Sequence, residues 1–242
     1  MRFAGQTAIL TGAANGIGAA CARRLEAEGA RLAVIDRDEA VTARFPNALA
    51  VAGDCTDADV LRAFAFEAEA RLGPVSVLVN NVGQSARERS RPFSESNEET
   101  WRFVLEVSLL TTMRLTRLVA PAMAERGYGR VVNIASDAAL VGDAGLAEYA
   151  TAKMGVIGFT RSLARELAPL GVTVNAVAPG AIRTAAHDHV PEAVLERVRA
   201  GTPAGFIAEP EDVAGLVAYL ASTEARFVTG QTILIDGGRW ML

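Results

Sequence analysis

The chain has 242 residues, half of them hydrophobic, with 24 Lys plus Arg against 28 Asp plus Glu and a formal charge of −4. That length admits one large α/β domain or two small ones, and the composition can bury a sizeable core. Weak acidity offers no basic face to a nucleic acid, no apolar run reaches membrane length, and no leader-like segment opens the sequence.

Thr7-Ala8-Ile9-Leu10-Thr11 is short, branched and closed by Gly12, which predicts a buried strand. The turn Gly12-Ala13-Ala14-Asn15-Gly16-Ile17-Gly18 follows. From Ile17, residues Ala20, Cys21, Leu25 and Ala27 recur at helical spacing until Gly29, and Arg31–Asp36 is the next strand. Strand, glycine turn, helix and strand form a right-handed βαβ unit with room for a pyrophosphate at the helix N-terminus. The three glycines divide the tasks of turning sharply, admitting a phosphate to the backbone N–H groups, and packing helix on strand. Asp36 ends the second strand, where a carboxylate bonds the adenosine ribose hydroxyls and repels a 2′-phosphate; Arg37 follows it.

A short charged segment leads to a third strand, Ala48–Ala52, closed by Gly53-Asp54-Cys55. Thr56 or Asp57 can cap the following helix, whose packing face is Val60, Leu61, Phe64 and Ala68. Asp54 is read either as a contact to the adenine edge or as a turn or capping acid. Cys21 and Cys55 are isolated from metal-like partners, which suits a reducing compartment and a cytoplasmic location. Val75–Val79 is a fourth strand, followed by Asn80-Asn81-Val82-Gly83. The paired amides can lock the carboxyl edge of a sheet, and Gly83 leaves space for a cofactor.

Gln84 to Ser96 is a polar connection flanking a cleft, and Asn97-Glu98-Glu99 has the chemistry of a helix start. The helix carries Trp101, Val104, Leu105, Ser108, Leu109, Thr112, Leu115, Leu118 and Val119, and Pro121 is expected to bend or interrupt it. It is apolar on more than one side, so it needs two partners, such as the sheet and another subunit. Arg130–Ser136 is a fifth strand. Tyr149-Ala150-Thr151-Ala152-Lys153 then opens a helix in which Tyr149 and Lys153 share one face. Val172–Ala178 is the sixth strand, ending in Pro179-Gly180. Residues 181–208 break the rhythm, with only Glu192–Ala200 helical, and read as a substrate lid. His187 and His189 fall there and make no metal site without further ligands. A helix from Pro210 and a strand from Thr232 complete the chain. The expected fold is a doubly wound, seven-stranded parallel sheet with helices on both faces, a single α/β domain over residues 1–242.

Thr11-Gly12-Ala13-Ala14-Asn15-Gly16-Ile17-Gly18, Asn80-Asn81-Val82-Gly83, Ser136, Tyr149-x-x-x-Lys153 and Pro179-Gly180-x-x-x-Thr184 together resemble the short-chain dehydrogenase/reductase superfamily. The resemblance spans Thr7 to Gly238 and says nothing of the substrate. It implies that Tyr149 is the general acid or base, that Lys153 favours the phenolate and holds the nicotinamide ribose, and that Ser136 orients the substrate oxygen. It further implies a nicotinamide dinucleotide held by Gly12, Asn15, Gly16, Ile17 and Gly18, and by Asp36, Asp54 and Cys55. Asn81 and Gly83 would lie on the adenosine side, with Tyr149, Lys153, Pro179, Gly180, Ile182 and Thr184 toward the nicotinamide. Asp36 favours NAD over NADP. One position departs: Ser108 stands where the family usually has a water-binding asparagine that relays protons to the lysine. The alternatives are a water filling the gap, an impaired relay, or a packing residue whose hydroxyl bonds its own helix backbone.

The function expected is hydride transfer between NAD and a secondary alcohol or ketone. The alternatives are a cis-dihydrodiol dehydrogenase of aromatic catabolism, which Ser108 with Asn-Asn-Val-Gly resembles, and a dinucleotide-binding protein with little turnover. The helices from Asn97 and Tyr149 predict a homotetramer or dimer.

Overall fold

The computed structural model describes residues 1–184 and 192–241; His187 and His189 lie outside them. In chain order the elements are β1 (Thr7–Thr11), α1 (Gly16–Ala27), β2 (Arg31–Asp36), α2 (Ala40–Arg44), β3 (Leu49–Ala52), α3 (Ala58–Leu72) and β4 (Val75–Asn80). There follow α4 (Glu98–Leu105), α5 (Thr111–Glu125), β5 (Gly129–Ile134), α6 (Ala138–Val141), α7 (Ala147–Leu167), β6 (Val172–Pro179), α8 (Glu192–Ala200), α9 (Pro210–Ala221) and β7 (Thr232–Ile235). The strands form one seven-stranded sheet in the order β3-β2-β1-β4-β5-β6-β7, parallel throughout, as the alternation of strand and helix predicts.

Alternation along the strands explains the layers. Ala8 and Leu10 of β1, Leu32 and Val34 of β2, and Val77 and Val79 of β4 face α1 and α9. Ile9, Ala33, Ile35 and Leu78 face the other way, toward α3, α5 and the C-terminal part of α7. Strands buried on both faces read as unbroken apolar runs, which is why the sequence marks them so clearly. Strand order reverses between β1 and β4, and a crevice opens at the carboxyl ends there.

Side chains lock that crevice. Asn81 Nδ2 donates to the carbonyl oxygens of Thr11 at 3.1 Å and Gly12 at 2.9 Å. Asn80 Nδ2 donates to Thr116 Oγ1 at 2.9 Å and Asn133 Oδ1 at 2.8 Å, tying β4 to α5 and β5. Gly12 turns with φ of 69°, and a Cβ at Gly18 would fall inside the Gly12 carbonyl oxygen and 2.5 Å from Asn81 Nδ2. No residue but glycine lets α1 start this close to β1.

The long helix differs from expectation. Asn97 caps it, accepting the Thr100 N–H at 2.8 Å. Between α4 and α5 the backbone widens into a π turn, Glu106–Leu110, and the helix then runs through Pro121 to Glu125 without interruption. One missing N–H does not end it, because buried Val119, Ala120 and Met123 pin that turn to the sheet. Among the described residues, no helix is long and apolar enough to cross a membrane.

Candidate active site

A cleft of about 540 Å³ lies along the crevice, lined among others by Gly12, Asn15, Asp36, Asp54, Cys55, Asn81 and Gly83. Asp36 Oδ2 accepts the Ala14 N–H at 2.9 Å, and Oδ1 accepts the Asp38 N–H at 2.9 Å. The acid therefore braces the glycine turn, and each oxygen keeps a lone pair for a further donor. Asp54 takes the turn role that its sequence position allows, at the wall of the cleft. It accepts the Thr56 N–H and hydroxyl on Oδ1, each at 2.8 Å, and it lines the cleft. Asp57, not Thr56, caps α3, accepting the Asp59 N–H at 2.8 Å. Burial pushes the Cys55 thiol up to about 12, so it is a neutral part of the wall.

Gly16 and Gly18 open the turn, and Ile17 packs beneath it against the α1–α9 core. The methyl group of Thr184 would stand 3.1 Å from a Cβ at Gly16, which places Thr184 beside the glycine turn. Pro179 ends β6, the Gly180 N–H donates to Ile235 O at 3.0 Å, and Ile182 forms a parallel bridge with Ala208. The bridge draws together the two ends of the segment expected to be a lid; α8 occupies the predicted Glu192–Ala200. A glycine turn at a helix N-terminus, a strand-end carboxylate and a cleft of this size fit a dinucleotide.

Tyr149 lies in the first turns of α7 and is half-buried, with Lys153 one turn on and 2% exposed. Lys153 Nζ donates to Ile134 O at 2.8 Å and sits 5.9 Å from the Tyr149 ring centroid. Burial depresses the ammonium to about 8. A Cβ at Gly83 would lie 2.6 Å from Nζ, so a side chain there would displace the lysine head from its present place. Ser136 accepts the Ala138 N–H at 3.2 Å and donates to Asp137 Oδ1 at 3.3 Å.

Two expectations change here. The ammonium was expected to make the phenol acidic, but burial dominates and raises Tyr149 above its ordinary value; a hydrogen bond with Ser136 works the other way. Ser108, fully buried in the π turn, does not bond its own helix. Its Oγ accepts the Gln84 N–H at 2.9 Å and donates to Gln84 O at 3.0 Å. One hydroxyl proton is thereby spent on the loop.

Residues 12–239 match the family described as enoyl-(acyl carrier protein) reductase. The chain is 37% identical to a 3-oxoacyl-[acyl-carrier-protein] reductase FabG of Vibrio cholerae over the full length of both. It is 39% identical to the short-chain reductase protein NovJ of Streptomyces niveus, covering 96% of this chain and 93% of that one. It is also 37% identical to nodulation protein G of Azospirillum brasilense over 96% of each. The chain belongs to the short-chain dehydrogenase/reductase family. As a member it is an oxidoreductase that works with a nicotinamide dinucleotide on a small molecule.

The structure also gathers charged residues that the sequence did not single out. Asp137, Asp143 and Arg87 all act electrostatically on Tyr149, and Arg239 acts on Asp137. Only Asp137 carried a signal, as the acid directly following Ser136; the others come from distant loops. Phe103, Glu106 and Val107 line the cleft from the α4–α5 junction, and Glu106 pairs with Arg114.

The buried ammonium sets a pH dependence of stability. An unfolded lysine titrates at about 10.4, whereas folded Lys153 titrates at about 8. Below both values the two states hold the same proton, and folding carries the full desolvation penalty. Between them the unfolded state binds more protons, so stability rises with pH. Denaturant unfolding over that window should show the protein gaining up to about 3 kcal/mol relative to Lys153→Met. A pH-independent difference would mean that the ammonium is not desolvated.

Proposed function

We propose that the chain is an NAD-dependent dehydrogenase or ketone reductase for secondary alcohols and ketones, with Tyr149 as its acid and base. The observation that carries this is Tyr149 beside Ser136 and a dry Lys153, at the end of a cleft braced by Asp36. Gly12, Asn15, Gly16, Ile17 and Gly18 would hold the pyrophosphate, and Asp36, Asp54, Cys55, Asn81 and Gly83 the adenosine half. Pro179, Gly180, Ile182 and Thr184 would flank the nicotinamide, whose ring supplies or accepts the hydride when bound.

The chain's own residues do the rest. Ser136 bonds the reacting oxygen and fixes its position against Tyr149. Tyr149, kept protonated by burial, gives its proton to a ketone oxygen and regains one through Lys153, which exchanges protons readily near pH 8. In the opposite direction Tyr149 takes the alcohol proton. Ser108 contributes by clamping Gln84 and so the loop that closes the cleft, rather than by relaying protons. Residues 181–208 would cover the substrate, with the whole chain acting as one domain. The substrate is a small, largely apolar molecule, and the names of the relatives add 3-oxoacyl thioesters to the panel to be screened. Ser108 with Asn80-Asn81-Val82-Gly83 keeps cis-dihydrodiols in that panel too.

Exposed Leu110, Met113 and Leu118 on and before α5, and Met154 on α7, suit pairing with further copies, and we read the assembly as a cytoplasmic homotetramer or dimer. Sedimentation velocity should give a dimer or tetramer; a monomer at micromolar concentration would remove this part.

The screen is read with Tyr149→Phe. Turnover of any alcohol, ketone or diol should fall by about 10²- to 10⁴-fold while NAD still binds. NAD binding without turnover on the whole panel would instead support a dinucleotide-dependent binding protein. Asp36→Asn should move the NAD/NADP preference toward NADP by at least about tenfold, roughly 1.4 kcal/mol. An unchanged ratio of kcat/KM values would deny Asp36 its role.

A further inference from the structure

Asp137 stands directly after Ser136, just beyond β5. Its N–H donates to Pro179 O at 3.0 Å, which fixes this loop against the end of β6. Its Oδ2 lies 3.3 Å from the place a Cβ at Gly180 would take, so the carboxylate is held between Gly180 and the Ser136 hydroxyl. That hydroxyl already accepts the Ala138 N–H and has one proton to give. Two acceptors compete for that proton: Asp137 Oδ1, at 3.3 Å, and the Tyr149 oxygen, whose ionised form a Ser136 hydrogen bond favours. A bond of that length is weak enough to be redirected.

The surroundings act in a consistent direction. Facing Tyr149 are Ser136, Asp137 and Asp143, whose two acids oppose a phenolate, with Arg87 working against them and Lys153 beneath the ring. Facing Asp137 are Asp143, which opposes its ionisation, and Arg239 and the Ala138 N–H, which favour it; burial raises its carboxyl above the ordinary value.

We propose that Asp137 is a positioning residue: by drawing the Ser136 proton to itself it denies that proton to the Tyr149 oxygen, and so raises the pH at which the site begins to take protons from alcohols. This rests on Tyr149 being the acid and base. While Asp137 is ionised, the phenol is held as a proton donor suited to carbonyl reduction. An amide at residue 137 donates an N–H to Ser136 Oγ instead, frees the serine proton to turn toward Tyr149, and removes a like charge.

The test is an ultraviolet titration of the phenolate band, taken as the difference between the protein and Tyr149→Phe, which isolates one of three tyrosines. Asp137→Asn should lower the midpoint for Tyr149 by about one pH unit. With Ser136→Ala already in place, the same substitution should give a clearly smaller shift. An unmoved midpoint overturns the proposal. An equal shift in both backgrounds also overturns it, since Asp137 would then act by charge alone. Asp137→Ser, which likewise lacks the charge, gives the same comparison if the asparagine variant does not fold. The titration needs neither substrate nor cofactor, so a chain that shows the shift but turns nothing over counts against the proposed activity alone.

Discussion

The Asn81 amide, bonded to the carbonyls of Thr11 and Gly12, joins β4 to β1 at the point where the sheet reverses its order. Everything that gives the chain a site depends on how close these two strand ends come. The approach leaves no volume for a side chain at residue 18, so α1 begins against the end of β1, with no side-chain cap bond from Asn15 at its start. Asp36 completes the turn from the neighbouring strand by accepting the Ala14 N–H. A cradle for a phosphate and a ribose thus follows from backbone geometry, with little demand on side-chain identity beyond glycine, asparagine and one acid.

On the other side of β4 the demand is electrostatic. Lys153 is dry, bonded to one carbonyl and roofed by Gly83, so its charge destabilises the fold while making proton exchange possible near pH 8. Tyr149 is shifted the opposite way by the same burial. The two groups, close in proton affinity when free, move apart because both are desolvated: burial disfavours the charged form of each, raising the phenol and lowering the ammonium. Ser108 supports this arrangement at one remove. By bonding both backbone groups of Gln84 it fixes the loop that follows Gly83, and hence the roof over the lysine.

Much of this was legible in the sequence for physical reasons that can be named. Val34 and Ile35, or Leu78 and Val79, read as strand because a parallel sheet buries both faces and leaves apolar runs. Gly12, Gly16 and Gly18 were legible because glycine spacing records backbone geometry directly. The π turn at Glu106–Leu110 was not, since Ser108 within it bonds Gln84, a partner 24 residues away that no local pattern reveals. At Pro121 the helix is not interrupted, because tertiary burial of Val119 and Met123 outweighs one lost hydrogen bond. The direction of the Tyr149 shift was misjudged because the spacing of Tyr149 and Lys153 shows that they share a face, but not how little water reaches them. Asp54 was readable only as two alternatives, of which the structure shows the turn acid, bonded to Thr56.

The central claim is that Tyr149 and a nicotinamide ring meet at the carboxyl edge of the sheet. A crystal structure with NAD and a ketone tests it most directly. The account predicts Asp36 on the adenosine ribose and the Tyr149 hydroxyl about 2.6–3.2 Å from the ketone oxygen, with the nicotinamide alongside. A dinucleotide bound elsewhere, or a phenol turned into the interior away from the ring, would contradict it.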